Sequence, residues 1–416
     1  MDILIDIVQT ITGMGAAAIL PIIIFVLGLV FRVKPGAALK AGLMVGVGFI
    51  GLGLVITLLT ESLQPAIEHY GEMGTGFTIM DIGWSAVGAA SWMVPFAGLA
   101  VPIGVVLNII LVRMKLTKTL NVDIWNYMHF LVPGSLTFFL FDSFWLGLAV
   151  TVTLSVIALF VGDKTAKMWQ DYYGLEDTTC TTLIHTGWTL PIAWILNKII
   201  DFIPGLNKLD LSVDKVSQKM GIFGEPIVIG LMVGVLLGVL TGQELTMIIP
   251  MGMGVAGAMI LMPRVVSVLM EGLSPIGKSA KDFLSRQMGE DAEVNVGMDV
   301  ALGLGDPATI TATVVSIPLV MLMALILPNI QIFPIGLLMS IVYMTPMTVM
   351  ASKGNLFRSI ATTVLFSVLV MYLAAYVAPG ATQMLHGAGL EFDGLGTDFV
   401  LTGPWSILMY WLSNIF

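Results

Sequence analysis

The sequence predicts an all-α integral membrane protein that crosses the bilayer about eleven times, with inverted repeats and re-entrant hairpins. Three observations carry that expectation. Of the 416 residues, 57% are hydrophobic and 11% charged, against roughly a quarter charged in an ordinary soluble protein. Uncharged runs such as 14–31 and 41–60 are each close to the roughly 20 residues that cross a bilayer as a helix. The 45 glycines suit close helix contacts and broken helices.

Apolar runs and their charged or Pro/Gly boundaries place spans near 10–31, 41–60, 92–112, 124–141, 143–162, 224–241, 246–263, 308–328, 334–351, 357–378 and 399–415. Only Asp2 and Asp6 precede Arg32 as charges, so the first run is expected to be a retained span and not a cleaved signal. The segment 180–197 is short and holds His185, Pro191 and several threonines, which suits a re-entrant hairpin with both ends on one side.

Basic residues accumulate on the cytoplasmic side of short loops. Here they fall on alternate loops: Arg32, Lys34 and Lys40, then Arg113, Lys115 and Lys118, then Lys164 and Lys167, then Lys353 and Arg358. The intervening segments carry acids only, among them Glu61, Glu72, Asp81, Glu244, Glu391 and Asp398. This alternation places the amino terminus outside and the carboxyl terminus inside. A net charge of −9 argues against a nucleic-acid partner, and the lone Cys180 rules out an intramolecular disulfide or a cysteine-based metal cluster.

LTESLQP (Leu59 to Pro65) after the second span matches LMEGLSP (Leu269 to Pro275) after the seventh. Each is followed by an aspartate that opens a Gly-rich segment, Asp81 in DIGWSAVGAASWMVP and Asp299 in DVALGLGDP. The charge pattern gives the two copies opposite topology, the arrangement of inverted-repeat transporters whose sites lie near the midplane where interrupted helices meet. The single permease unit 1–416 then divides into a first half (about 1–165), a hairpin and cytoplasmic linker (166–222), a second half (223–378) and a final span (399–415).

Ionisable groups at membrane depth are expensive, so the few present are the candidate site. Asn126 and His129 share a helix face, where helix-to-helix hydrogen bonding is the plainer role. Asp123 is expected to be a solvated helix start. His185, with Thr181, Thr182 and Thr186 beside it, can donate to and accept from a hydroxylated ligand. Asp299 and Asp306 bracket Gly303 and Gly305, with Thr309 shortly after; Asp306 suits hydroxyl donors, or caps the span that starts near Pro307. Ser91 and Trp92 hold the matching place in the first half, where the indole offers a flat apolar face or an interfacial anchor. No zinc-ligand spacing, Walker loop, triad signature or dinucleotide fingerprint occurs, so neither a catalytic site nor a cofactor is expected.

NVDIWN from Asn121, KAGLMVGVGFIGLGLVI from Lys40, MDIGW from Met80, FGEP from Phe223, MPRV from Met262, GMDVALGLG from Gly297 and GNLFR from Gly354 resemble, in the same order, segments of the galactitol-type IIC family of the bacterial phosphotransferase system, in the ascorbate–galactitol superfamily. The resemblance implies an inner-membrane homodimer, with a fixed scaffold and a mobile substrate-carrying core in each protomer. It implies a polyol carried inward and phosphorylated by a separate cytosolic IIB protein that is itself charged by IIA. It also points to Ser91, Trp92, Asn126, His129, His185, Thr186, Asp299, Asp306 and Thr309 as substrate-contacting positions. An ion-coupled secondary transporter of a small hydroxylated solute is the alternative, with Asp299, Asp306 and His185 as ion sites.

Overall fold

A computed structural model describes residues 16–73, 77–121, 123, 126–209, 211–215, 221–288 and 294–415. The protein is mostly helical, and each expected span overlaps a helix; residues 10–15 of the first and 124–125 of the fourth lie outside the described residues. Among the described residues five helices are long and apolar enough to cross a membrane: Pro35–His69, Phe144–Tyr173, Leu245–Leu273, Pro307–Ile326 and Leu356–Gly387.

Four helices form one body. α1 (Ala16–Val30) and α2 (Pro35–Met73) pack together, and α2 packs along α9 (Leu245–Met288), which in turn packs on α8 (Pro226–Leu240). At 39 and 44 residues, α2 and α9 run on through the two matched Leu-Glu-Leu-Pro segments, where the sequence suggested that the spans had ended. The continuation is amphipathic: Leu63, Ala66 and Ile67 are buried while Glu61 and Glu68 are exposed.

The remaining helices surround two small parallel sheets. After α2 come β1 (Ile79–Asp81), α3 (Trp84–Trp92) and α4 (Ala97–Arg113), the last two bent by 84° about a break that contains Pro95. Next follow β2 (Thr119–Asn121), α5 (Tyr127–Phe141), α6 (Phe144–Tyr173) and β3 (Thr178–Cys180), then a π turn (His185–Thr189) that leads into α7 (Leu190–Asp201). After α9 come β4 (Asn295–Met298), a 3-10 turn (Val300–Gly305), α10 (Pro307–Ile326), α11 (Ile335–Ala351) and α12 (Leu356–Gly387). The chain closes with β5 (Leu395–Thr397), a second 3-10 turn (Phe399–Thr402) and α13 (Pro404–Ser413).

One sheet has the order β2-β4-β3; the other pairs β1 with β5, and Ile79 also bridges Ile332 in parallel. Each central strand therefore comes from the opposite part of the chain to its two neighbours. Gly297, in the middle of β4, sits where a Cβ would meet Thr181 Cγ2 at 2.7 Å and Asn121 Cα at 2.9 Å.

The segment 178–201 enters as a strand and leaves as a helix. Asp201 at its far end pairs with Arg358 (2.7 Å), at the same α11–α12 corner where Tyr172, at the end of α6, lies against Gly354. The last segment behaves likewise and corrects the expected eleventh crossing over 399–415. Gly396 bonds to Thr382 (2.9 Å), Phe399 reaches Phe366 (6.4 Å between centroids), and Tyr410 is back beside Tyr376 (5.3 Å). The chain dips along α12 and returns towards its entry level, because Gly403-Pro404 restarts a helix of only 10 residues, about 15 Å long against a hydrocarbon core of about 30 Å.

Gly297→Val should lower the unfolding temperature of the detergent-solubilised protein, by on the order of 1–3 kcal/mol of overpacking. Gly53→Ala, whose Cβ meets nothing within 4 Å, should leave it unchanged or raised. Equal unfolding temperatures for Gly297→Val and the parent protein would contradict the close three-strand contact.

Candidate functional site

The parallel strands of the β2-β4-β3 sheet end at one level, so the residues after them converge. Thr181 and Thr182 follow β3, Asp299 follows β4, and Asn126 stands at the start of α5 beyond β2. All four are buried. Thr182 Oγ1 donates to Asn126 Oδ1 (2.9 Å), Asn126 Nδ2 donates to Thr181 Oγ1 (2.9 Å), and Thr181 Oγ1 donates to Asn121 Oδ1 (3.1 Å). Thr182 Oγ1 also accepts from Val300 N (3.0 Å) and lies 3.3 Å from Asp299 Oδ2. A hydroxyl has one proton, and here the shorter bond takes it to Asn126. Asp299 Oδ1 caps the following 3-10 turn through Ala301 N (2.7 Å), which leaves Oδ2 with acceptor capacity to spare.

A row of rings borders this cluster. Trp84 stacks on His129 (5.8 Å, 9°), His129 meets His185 edge-on (6.2 Å, 68°), and His185 stacks on Phe399 (5.6 Å, 26°). His185 Nδ1 pairs with Thr189 Oγ1 (3.3 Å), whereas His129 Nδ1 is buried without a hydrogen-bond partner. Thr186 Oγ1 donates to Thr182 O (3.2 Å) and fixes the turn. Carboxylate, amide, imidazole and ring faces in one buried place can hold a ligand with many hydroxyls on one side and carbon on the other.

The structure thus brings Asn126, His129, His185, Thr186 and Asp299 together. Asp306 and Thr309 belong to a separate cluster. Asp306 Oδ2 caps α10 through Thr309 N (2.8 Å) and lies 3.5 Å from Tyr172 Oη, and Tyr173 Oη donates to Pro346 O (2.6 Å). Ser91 sits about 10 Å along α3 from Trp84. It donates to Gly88 O (2.7 Å) and accepts from Ser135 through its carbonyl (3.1 Å), a helix-to-helix contact, and Trp92 packs into the neighbouring apolar clusters. Asp123, expected to be solvated, is 2% exposed at the tip of β2. Asp81 and Asp398, expected among the loop acids, lie at the inner ends of β1 and β5, with Asp398 1% exposed. Arg358, one of the basic residues on the alternate loops, bonds to Asp201 and to the carbonyls of Asn197 and Asn207. Trp84 and Phe399 were not among the expected site residues, although TTLIHTGW from Thr181 and TDFVLTGPW from Thr397 are alike enough to have pointed to the second turn.

A multi-pass helical protein with a buried polar cluster between strand tips is built as a membrane carrier. The family model described as the PTS system sugar-specific permease component, EIIC-GAT, matches residues 10–395, and the chain belongs to that family. It is 33% identical over 387 residues to the "PTS system galactitol-specific EIIC component" of Escherichia coli strain K12, covering 92% of this chain and 85% of that protein. The protein of the same description from Escherichia coli O157:H7 matches with the same 33% identity over 387 residues. As a IIC component the chain is a transport subunit and not an enzyme.

Thr182→Val keeps the shape but strips a donor from Asn126 and an acceptor from Val300 N, at about 1–3 kcal/mol for each buried group left unpaired. Its unfolding temperature should fall clearly below that of Thr311→Val, whose hydroxyl bonds within its own helix to Pro307 O. Matching temperatures for the two variants would remove Thr182 from the centre of the network.

Proposed function

We propose that this chain is the permease of a galactitol-like polyol in a phosphoenolpyruvate-dependent phosphotransferase system. It moves substrate inward for phosphorylation by a cytosolic phosphorylated IIB protein, which IIA supplies. The observation that carries the reading is the open Asp299 carboxylate oxygen at the end of the Thr182–Asn126 chain, beside two imidazoles and flat ring faces. Asn126, His129, His185, Thr186 and Asp299 form the substrate site. Asp306 and Thr309 act at its cytoplasmic approach, and Ser91 and Trp92 hold α3 in place.

The body α1, α2, α8 and α9 is the scaffold and the remainder the moving core, an elevator arrangement. Two features support it. The crevice between them is apolar, with Ile56, Leu59 and Leu63 of α2 facing Ile317, Leu338 and Val342. The far side of the scaffold exposes large apolar side chains, Leu54 at 66% and Met253 at 60% among them, which suits a homodimer partner and lipid.

Two inverted halves of five crossings and one re-entrant hairpin each, about 16–201 and 226–413, fit the strand exchange. They widen the expected halves 1–165 and 223–378 to take in the hairpin that follows each. With basic residues inside, the chain has ten crossings in the bacterial inner membrane, and both ends are outside. A tag after residue 415 and one at 389 should therefore report outside, and tags at 116 or 355 inside; an inside carboxyl-terminal tag would restore the eleventh crossing.

In vesicles loaded with the cognate phosphorylated IIB protein, galactitol should accumulate as its phosphate ester, and collapse of proton and sodium gradients should leave that accumulation largely intact. His185→Ala and Asp299→Asn should each weaken galactitol binding while the protein stays folded, with Glu72→Gln as a control. Free polyol building up without IIB, and lost on adding a protonophore or removing sodium, would instead establish the ion-coupled carrier.

A further inference from the structure

We infer that Asp81 and Asp398 form a second carboxyl pole of the polyol site, receiving hydroxyl groups from the side opposite Asp299. This rests on the polyol reading above and adds residues to it. The first support is placement. β1 lies between Ile332 and β5 as β4 lies between β2 and β3, and each central strand is closed by an aspartate, Asp81 in one and Asp299 in the other. The neighbouring turns correspond residue by residue: Thr181-Thr182-Leu183-Ile184-His185-Thr186-Gly187 matches Thr397-Asp398-Phe399-Val400-Leu401-Thr402-Gly403. Asp398 thus takes the place of Thr182. Thr182 lies against Asp299, and Asp398 lies beside Asp81.

The second support is the state of the oxygens. Asp81 accepts from Leu337 N (2.8 Å) and Gly83 N (3.3 Å), and Asp398 Oδ2 accepts from Val400 N (3.2 Å). An ionised carboxyl group accepts only and a protonated one also donates, so two such groups side by side can meet a hydroxyl in either sense. Asp398 Oδ1 nevertheless has no partner, nor does the adjacent, fully buried Thr397 Oγ1. Independently of the acids, the buried His129 Nδ1 is unpartnered in a ring stacked on Trp84, three residues beyond Asp81. Buried polar groups are normally satisfied, and orphans on two successive residues, with a third on the His129 ring, mark where a ligand supplies the missing partners.

The third support is proximity to the site already described. The two turns touch: Phe399 stacks on His185, and Ile184 Cδ1 lies so close to Gly403 that a Cβ there would stand 2.5 Å from it. A polyol lying along the His129–His185 rings then has Asp299 at one end and the Asp81–Asp398 pair at the other.

The test is calorimetric binding of galactitol and of its stereoisomer sorbitol to the purified full-length protein and to Asp81→Asn, Asp398→Asn and Asp398→Thr. The last installs what the first turn carries, in case the amide does not fold. Unfolding temperature is read alongside. Each variant should bind galactitol about tenfold or more weakly, with the galactitol-to-sorbitol ratio changed and the unfolding temperature held. Normal galactitol affinity in all three variants overturns the inference. So does an equal loss of both polyols that follows a lowered unfolding temperature, which is what a pair serving only to tie β1 to β5 would give. If Asp299→Asn and His185→Ala lose binding while these variants keep it, the second pole is wrong and the polyol site stands. If the unaltered protein binds neither polyol, the polyol reading fails and the second pole fails with it.

Discussion

Backbone N–H and C=O groups buried away from water must be paired, and the centre of this protein is arranged around that requirement. Irregular backbone at membrane depth is tolerated only inside protein or beside a watery cavity. Here the chain is non-helical at β1 to β5 and at Ile332, and each piece finds its partners in another piece. The edges are closed by side chains. Asn108 donates to Thr119 O and accepts from Asn121 N (both 2.8 Å), and Gln170 Nε2 donates to Thr178 O and Asn295 Oδ1 (both 2.9 Å). Thr382 Oγ1 donates to Ala378 O (2.7 Å) and accepts from Gly396 N (2.9 Å). The sheets also bind distant parts of the chain to one another, since neither central strand comes from the same part of the sequence as its neighbours.

The polar site follows from the same constraint. Parallel strands end together, so the residues beyond them are brought side by side, and each run restarts as a short turn whose first N–H groups need acceptors. Asp299 caps one such turn through Ala301 N and Asp398 caps the other through Val400 N. A carboxylate has two oxygens and capping uses one. Capping and ligand binding are therefore not rival roles for these aspartates: the cap fixes the orientation of the group, and the second oxygen remains for other chemistry. Asp306 also caps with one oxygen, its Oδ2 serving Thr309 N and lying against Thr309 Oγ1 (3.1 Å), but it does so in the separate cluster beside Tyr172.

The helical frame was legible because long uncharged runs have few other readings, and Asn126, His129, His185 and Asp299 stood out as polar residues within or beside such runs. The strands were not legible. Three or four residues such as Thr119–Asn121 or Leu395–Thr397 carry no periodicity, and what makes them strands is a neighbour far along the chain. For that reason Asp81 and Asp398 read as loop acids, since a loop and a strand tip look alike until the partner is known. The closing helix was misjudged for a related cause: the run to Phe416 is apolar enough to span, but Gly403-Pro404 splits it, and α13 packs along α5 and α12 on the way back. Asp306 kept the plainer of its two readings, as the cap that its position before Pro307 suggested.

The contrast between the two kinds of contact bears on how such a protein can move. Within the sheet region, neighbours are joined by directional bonds whose breakage leaves buried polar groups unpaired, so that region holds together as one piece. The described seam against α2 and α9 is of another kind: Ile56, Leu59 and Leu63 face Ile317 and Val342, and Val266 lies against Gly305. Apolar contacts are non-directional, and one register of methyl groups can replace another with little change in buried area. Bonds concentrated inside the sheet region, with a greasy face turned to the long helices, are what the elevator arrangement proposed above requires of a site that keeps its geometry while it changes place.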